Sequence, residues 1–85
     1  MRIAYRHPFR KQVVQYELEK LPHKWLDKGK QYYILGACEV PAKDVKRVDK
    51  TTLRKLKRIE KQIAKRFQQI TQVLEENFSK FEDVE

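Results

Sequence analysis

Hydrophobic residues in the second half of the chain recur every three or four positions. These residues are Leu53, Leu56, Ile59, Ile63, Phe67, Ile70, Val73, Leu74, Phe78 and Phe81. At about 100° per residue most of them fall on one side of a helix. No proline or glycine interrupts residues 42 to 85. The pattern therefore predicts one long amphipathic helix over residues 50 to 79.

The flanks of this helix carry weaker signals. Asp49, Thr51 or Thr52 is suited to cap the first turn. Residues 41 to 49 begin with a proline, which suits a first helical turn, so a turn or short helix is predicted there. The acidic residues among positions 80 to 85 predict an acidic tail there.

The first forty residues carry strand patterns instead. The stretch "RIAYR" predicts a first strand with Ile3 and Tyr5 on one face. Residues 31 to 40, "QYYILGACEV", are rich in aromatic and branched side chains and are bounded by turn signals, which indicates a strand. Gly36 within it marks a bulge or a close approach of the backbone.

Residues 10 to 20 fit two patterns. Val14, Leu18 and two later apolar residues fit a helical stripe, whereas Val14, Tyr16 and Leu18 also alternate with polar residues, as in a half-exposed strand. The charges at the two ends of the segment oppose a helix dipole, which favours the strand. The whole pattern predicts an α+β protein with a small antiparallel sheet packed against the one long C-terminal helix.

Composition narrows the class of protein. The length of 85 residues corresponds to one small domain. The hydrophobic content of 40% is enough for a core, although 38% of the residues are charged. Twenty Lys and Arg against twelve Asp and Glu give a net charge of +8, which favours polyanionic partners. A single cysteine indicates a reducing compartment, and there is neither a signal peptide nor an apolar run of the roughly 20 residues that cross a membrane. We therefore expect a cytoplasmic protein without a membrane partner.

Charge is segregated along the chain. Residues 41 to 66 hold 11 basic and 3 acidic side chains, a net of +8, whereas residues 67 to 85 hold 1 and 5, a net of −4. On the predicted helix five cations lie almost opposite the apolar stripe, namely Arg54, Lys57, Arg58, Lys61 and Lys65. An ordinary solvated face mixes both signs, so this face predicts contact with nucleic acid. A purely solvated face and an acidic protein partner are the alternatives.

The N-terminal stretch "YRHPFRK" extends this prediction. Arg6, Arg10 and Lys11 stand close to Tyr5 and Phe9, and rings that stack on bases beside cations that hold phosphates suit nucleic acid. The alternative is an ordinary turn in which both rings belong to the core.

Catalytic chemistry is weakly represented. Two histidines and one cysteine without a repeated spacing exclude a standard zinc site, and no glycine-rich phosphate loop is present, so no metal, cofactor or enzymatic activity is expected. A Cys–His or Ser–His pair could arise only through folding. A metal-independent RNA-cleaving toxin, with His7 among the cations, is the weaker alternative.

The preferred function is therefore that of a non-enzymatic protein that binds RNA or DNA. The rival is a small adaptor or inhibitor that binds an acidic surface of a protein partner, with Trp25, Tyr32 and Tyr33 as aromatic anchors.

The length of the predicted helix also bears on assembly. Thirty residues span about 45 Å, whereas a domain of this size is only about 30 Å across. Leu74, Phe78 and Phe81 would then project beyond the sheet and form an interface, either in a homodimer or in a hetero-complex. A helix that frays or bends after about residue 72 is the alternative.

Overall fold

The computed structural model describes residues 1–62 and 66–84 and has the α+β architecture that the sequence predicts. The elements follow one another as β1 (Arg2–Arg6), β2 (Val13–Glu17), β3 (Trp25–Asp27), β4 (Lys30–Leu35), β5 (Cys38–Pro41), β6 (Lys46–Arg47), α1 (Lys50–Glu60), α2 (Arg66–Asn77) and β7 (Glu82–Asp83). Short 3-10 turns occupy Ala42–Asp44 and Phe78–Lys80.

The molecule has three layers, with a four-stranded sheet in the middle. This sheet has the order β2-β1-β6-β7, and its strands pair antiparallel. A second, three-stranded sheet of order β3-β4-β5 packs on one face, and the two helices pack on the other. The prediction of a single small sheet is thus corrected to two sheets, and the helices pack on the four-stranded one.

Alternation along β1 explains the layering. Ile3 and Tyr5 are fully buried in the core between the two sheets, whereas Ala4 is buried in the core beneath the helices. Successive side chains of a strand point to opposite faces, so β1 supplies both cores. The predicted first strand, with Ile3 and Tyr5 on one face, is confirmed.

The ambiguous segment, residues 10 to 20, forms the strand β2. It pairs with β1 from Arg2↔Glu17 to Arg6↔Val13. Val13 is buried beneath the helices and Val14 packs against the core between the sheets, so both faces of the strand contribute to packing. A helix here would leave β1 without its partner on this edge.

The predicted strand over residues 31 to 40 is a hairpin rather than one strand. Gly36 and Ala37 form its turn with φ of 56° and 65°, and Lys28 and Gly29 form the preceding turn with φ of 52° and 78°. Two successive residues of positive φ are typical of the tight turns that match the twist of paired strands. Gly36 thus occupies a turn rather than a bulge, although it does lie close to the side chain of Tyr16.

The prediction of one helix over residues 50 to 79 is confirmed only in part, because two helices lie within these bounds. The first helix ends at Glu60, the second begins at Arg66, and the two pack against each other. Leu56 of α1 and Leu74 of α2 are buried in the same core, so both apolar stripes lie over the sheet. A continuous helix of about 45 Å would extend past a sheet of this size, which explains why two shorter helices bury more of the stripe. Ile63 of the stripe lies outside the described residues.

The start of α1 is as predicted. Asp49 is its cap, and the Oδ1 atom of Asp49 accepts a hydrogen bond from the Thr52 backbone N–H at 2.8 Å. This hydrogen bond lowers the pKa of the Asp49 carboxyl, because it stabilises the charged form. No helix in the described ranges is both long enough and apolar enough to span a membrane.

The C-terminal residues are not an acidic tail. Glu82 and Asp83 form β7, which pairs with Arg47 and Lys46 of β6. The neighbouring Phe81 and Val84 are buried. The two acidic side chains therefore lie between two core residues and do not form a free tail.

Burial of this segment also corrects the predicted interface. Leu74 is 1% exposed and Phe81 is 5% exposed, and the half-buried Phe78 packs edge-to-face on Phe81 with ring centroids 6.2 Å apart. All three side chains contact the core beneath the helices. The apolar surplus that motivated a dimer is therefore buried within one chain.

Candidate nucleic-acid interface

The outer surface of α1 carries four exposed cations in one compact group. Residues three and four positions apart are neighbours on a helix, so these side chains share one face. We call this group the α1 cationic face; it consists of Arg54, Lys57, Arg58 and Lys61. No salt bridge joins any of the four to a residue in the described part of the chain. Lys65, the fifth predicted member, lies outside the described residues.

The acidic residue of α1 is directed away from this group. Glu60 is the one acidic residue of the helix, and its Oε1 lies 2.7 Å from Nη1 of Arg2 on β1. Arg2 also donates to Glu17 Oε2 at 2.8 Å, and this hydrogen bond lowers the pKa of the Glu17 carboxyl. The carboxylate of Glu60 is thus engaged at the sheet, and the positive potential of the outer face is not offset by a neighbour on its own helix.

Arg6 does not belong to this surface, contrary to the prediction that grouped it with the phosphate contacts. Its guanidinium binds both oxygens of Glu75 on α2, at 3.1 and 3.0 Å, and donates to the Lys11 carbonyl at 2.9 Å. It also lies 5.8 Å above the ring of Phe78. The hydrogen bonds from Arg6 lower the pKa of the Glu75 carboxyl, so the pair is fully charged at neutral pH. This geometry makes Arg6 a tether between β1 and α2.

Arg10 and Lys11 lie in the loop between β1 and β2 and are exposed. The Lys11 backbone, with φ of 61°, donates to the His7 carbonyl at 2.9 Å, while the His7 backbone N–H donates to the Gln12 carbonyl at 2.7 Å. The loop is therefore fixed by its own hydrogen bonds. It borders α2 rather than the α1 cationic face, so the structure places the two predicted groups of cations on different elements.

A groove of about 390 Å³ runs between this loop, β2 and α2. Its polar walls include Arg10, Gln15 and Thr71, and its aromatic walls are Tyr16 and Phe67. None of the described residues that line it is acidic. No sequence pattern indicated this site, because its walls come from segments about fifty residues apart.

Of the two rings in "YRHPFRK", one is in the core and the other is at the surface. Tyr5 is fully buried, stacks parallel to Tyr16 at 6.0 Å, and has a pKa that burial raises well above its usual value. Phe9 is 81% exposed and leans against the His7 ring. The prediction of a ring close to cations at the surface thus applies to Phe9 and not to Tyr5.

Folding brings His7 and Cys38 together, with 3.6 Å between Nε2 and Sγ. Nδ1 of His7 accepts hydrogen bonds from the backbone N–H groups of Phe9 and Arg10, at 3.2 and 3.1 Å. A neutral ring then carries its proton on Nε2, which donates to the sulfur. In this tautomer His7 cannot take a proton from the thiol, so the pair lacks the geometry of an activated nucleophile.

The three predicted aromatic anchors are divided between surface and core. Trp25 is 50% exposed and Tyr32 is its cross-strand partner, so both lie on the outer face of the second sheet. Tyr33 is 2% exposed in the core between the sheets, which excludes it as an anchor. The outer face of this sheet is on the far side of the molecule from the helices.

In residues 1–62 and 66–84, no cluster of three or more His, Cys, Asp or Glu residues could hold a metal ion. Comparison of the chain with protein-family models, with curated proteins and with solved structures gives no match. Inferences about function therefore rest on the surfaces described above.

Proposed function

We propose that this protein is a non-enzymatic nucleic-acid-binding protein whose α1 cationic face contacts the phosphate backbone. The observation that carries the proposal is the exposure of four cations without an ion pair to a described residue, on a helix whose acidic residue is engaged by Arg2. Like charges three and four positions apart repel each other, and a polyanion removes that repulsion while releasing its counterions.

Two further observations support this proposal. The placement of His7 supports binding without catalysis, and the free thiol of Cys38 supports a reducing compartment such as the cytoplasm. His7 has Nδ1 engaged by the backbone and Nε2 against Cys38, so neither ring nitrogen is placed to act on a phosphodiester. Cys38 is a buried free thiol. These features weigh against the RNA-cleaving toxin, which needs an accessible general base.

The proposal predicts a defined salt dependence. If all four cations neutralise phosphates, the logarithm of the association constant for duplex DNA falls with the logarithm of salt concentration with a slope of about −3.6. Fluorescence anisotropy with a labelled duplex, titrated at several salt concentrations, measures this slope.

A matched pair of variants tests where the contacts lie. The first variant replaces the α1 cationic face by Arg54→Gln, Lys57→Gln, Arg58→Gln and Lys61→Gln. The control removes the same charge from exposed lysines elsewhere, by Lys20→Gln, Lys28→Gln, Lys30→Gln and Lys43→Gln. We expect the first to lose most of its affinity and most of its salt slope, and the control to keep both. Equal losses in the two variants, or no loss in the first, would refute the assignment.

A second candidate function is that of an adaptor or inhibitor that binds an acidic surface of a protein partner. The half-exposed Trp25 beside Tyr32, on the sheet face opposite the helices, favours it because exposed aromatic rings are typical anchors of protein interfaces. An affinity pull-down before and after nuclease treatment separates the two functions. A protein partner that is retained after nuclease treatment and lost on Trp25→Ala would support the adaptor.

A further inference from the structure

The groove between the β1–β2 loop, β2 and α2 combines features that the α1 cationic face lacks. The cationic face offers charge alone, whereas the groove offers aromatic rings, one cation and several neutral hydrogen-bonding groups. Its volume of about 390 Å³ is within the range of sites that enclose a small molecule or one part of a larger one.

The aromatic walls of the groove are accessible. Phe67 is 63% exposed near the start of α2, whereas Ile70 and Leu74 of the same helix turn toward the core. Tyr16 is 39% exposed, and its other side is backed by Tyr5 in a nearly parallel stack with an angle of 4° between the rings. An exposed phenylalanine is unfavourable in water, and contact with a flat ligand would remove part of the Phe67 and Tyr16 rings from water.

The charge of the groove is positive and is not offset. The guanidinium of Arg10 forms no ion pair with a described residue, and no acidic side chain is among the described walls. The carboxylate of Glu75, which lies on α2 as Phe67 does, is bound by Arg6 and by the Val13 backbone N–H. An anionic group beside the rings would therefore meet a cation without a competing carboxylate.

The groove is also held in shape before any ligand arrives. His7 fixes the loop through its hydrogen bonds to the Phe9 and Arg10 backbones. A Cβ atom at Gly36 would lie 2.2 Å from Oη of Tyr16, so only glycine leaves the tyrosine in its place against Tyr5. A fixed loop and a fixed Tyr16 ring reduce the conformational entropy that is lost when a ligand binds.

From these observations we infer that the groove binds an unpaired base of single-stranded RNA or DNA, stacked against Phe67 or Tyr16 with its phosphate at Arg10. The inference rests on the proposed function and extends it from phosphate contact to single-strand recognition. In a duplex the faces of the bases are covered by their neighbours, whereas an unpaired base offers a π-face to an aromatic side chain. The α1 cationic face contacts phosphates of either form.

Binding measurements on two forms of one sequence test the inference. The affinities of a labelled 12-nucleotide single strand, as RNA and as DNA, and of its own duplex are measured. Each is measured with the wild type and with the variants Phe67→Ala, Phe67→Leu and Arg10→Gln. We expect Phe67→Ala to weaken single-strand binding roughly 5- to 150-fold, the range for loss of one base–aromatic stack, and to change duplex binding less than about two-fold. Phe67→Leu keeps an apolar side chain but removes the ring, so it should behave like Phe67→Ala. Arg10→Gln should weaken single-strand binding less than either variant.

The exposed Trp25 supplies the matched control. Trp25→Ala removes an exposed ring from the opposite layer and should leave single-strand binding unchanged. If Trp25→Ala weakens binding as much as Phe67→Ala does, or if Phe67→Ala weakens duplex and single strand equally, the groove is not the base-binding site.

Photocrosslinking locates the base independently of affinity. After irradiation with single-stranded RNA that contains a photoactivatable uridine, trypsin releases Tyr16 in residues 12–20 and Phe67 in residues 67–80. Crosslinks on these peptides are expected, whereas crosslinks confined to residues 25–28, the tryptic peptide that holds Trp25 on the opposite layer, would overturn the inference. If replacement of the α1 cationic face abolishes binding while Phe67→Ala changes nothing, the groove inference fails and the proposed function stands. A wild type that binds no oligonucleotide refutes the proposed function itself.

Discussion

At the scale of single residues, Gly36 combines two constraints that no other amino acid satisfies without strain. Its φ of 56° is in the left-handed region, and an added Cβ would lie 2.2 Å from Oη of Tyr16. Gly29 has a similar φ of 78° but no neighbour within 4 Å of such a Cβ. A side chain at Gly29 would therefore meet backbone strain alone, whereas one at Gly36 would also clash with Tyr16.

Substitution of both glycines tests this distinction. Gly29→Ala should lower the free energy of unfolding by about 1 kcal/mol through backbone strain alone. Gly36→Ala should lower it by about 1 kcal/mol more, because Tyr16 must leave its stacked position on Tyr5. Urea denaturation of the two variants measures the difference, and equal losses would show that Tyr16 moves freely.

Asp49 is a second residue with a local and measurable role. Asp49→Ala removes the hydrogen bond to the Thr52 N–H and should lower the free energy of unfolding by about 1 kcal/mol. The pKa of Asp49 is depressed in the folded state, so its contribution is present above the unfolded pKa of about 3.9 and is lost as the pH falls through the folded value. Asp49→Asn keeps a cap that does not titrate. Thermal unfolding between pH 7 and pH 2.5 should therefore show Asp49→Asn gaining on the wild type at low pH; parallel pH profiles would contradict this.

At the scale of elements, β1 holds both helices by arginines at its two ends. Arg2 contacts Glu60 of α1 and Arg6 contacts Glu75 of α2, so the same strand fixes both helices above the sheet. Glu75 additionally accepts the Val13 backbone N–H at 3.1 Å, which links α2 to β2. The carboxylate of Glu75 thus adds polar contacts to β1 and β2 to the apolar packing that holds α2, and with it Phe67, in place.

Replacement of that carboxylate should loosen α2. Because Arg6 and Glu75 are both partly exposed, the ion pair contributes no more than about 1 kcal/mol, and Glu75→Gln should lower the free energy of unfolding by less than that. Glu75→Ala also leaves the Val13 N–H without this partner and should cost about 1 kcal/mol more. Glu76→Gln, at an exposed neighbouring position, is the control. Hydrogen exchange at Val13 should quicken in Glu75→Ala alone, and unchanged exchange would argue against the tether.

Sequence patterns predicted the elements that depend on near neighbours. The alternation in β1, the cap at Asp49 and the α1 cationic face all follow from residues a few positions apart. The break between the helices does not, because the apolar spacing continues through residues 61 to 65 without glycine or proline. The pairing of β6 with β7 involves two residues from each strand, too few for a periodic signal, although Lys46–Arg47 opposite Glu82–Asp83 is complementary in charge. The groove and the pair of Cys38 with His7 depend on long-range contacts that only the fold creates.

At the scale of the whole molecule, the three layers separate two kinds of surface. The α1 cationic face belongs to the helical layer, and the half-exposed Trp25 and its neighbour Tyr32 belong to the outer face of the opposite layer. A single ligand would have to wrap around the molecule, which measures 43 × 25 × 22 Å, to cover both. The groove beside Phe67 is walled in part by α2, so it adjoins the helical layer to which the α1 cationic face belongs.

The same layering leads to a prediction about the oligomeric state. Phe81 is 5% exposed beneath the helices, so Phe81→Ala should create a cavity and lower the free energy of unfolding by about 3–5 kcal/mol. Phe67→Ala deletes the same ring from an exposed site and should change the free energy of unfolding by less than about 0.5 kcal/mol. We expect light scattering to give the monomer mass for the wild type at micromolar concentration, because Leu74 and Phe81 are already buried within the chain. A wild-type dimer that dissociates to folded monomers on Phe81→Ala would instead restore these side chains to an interface.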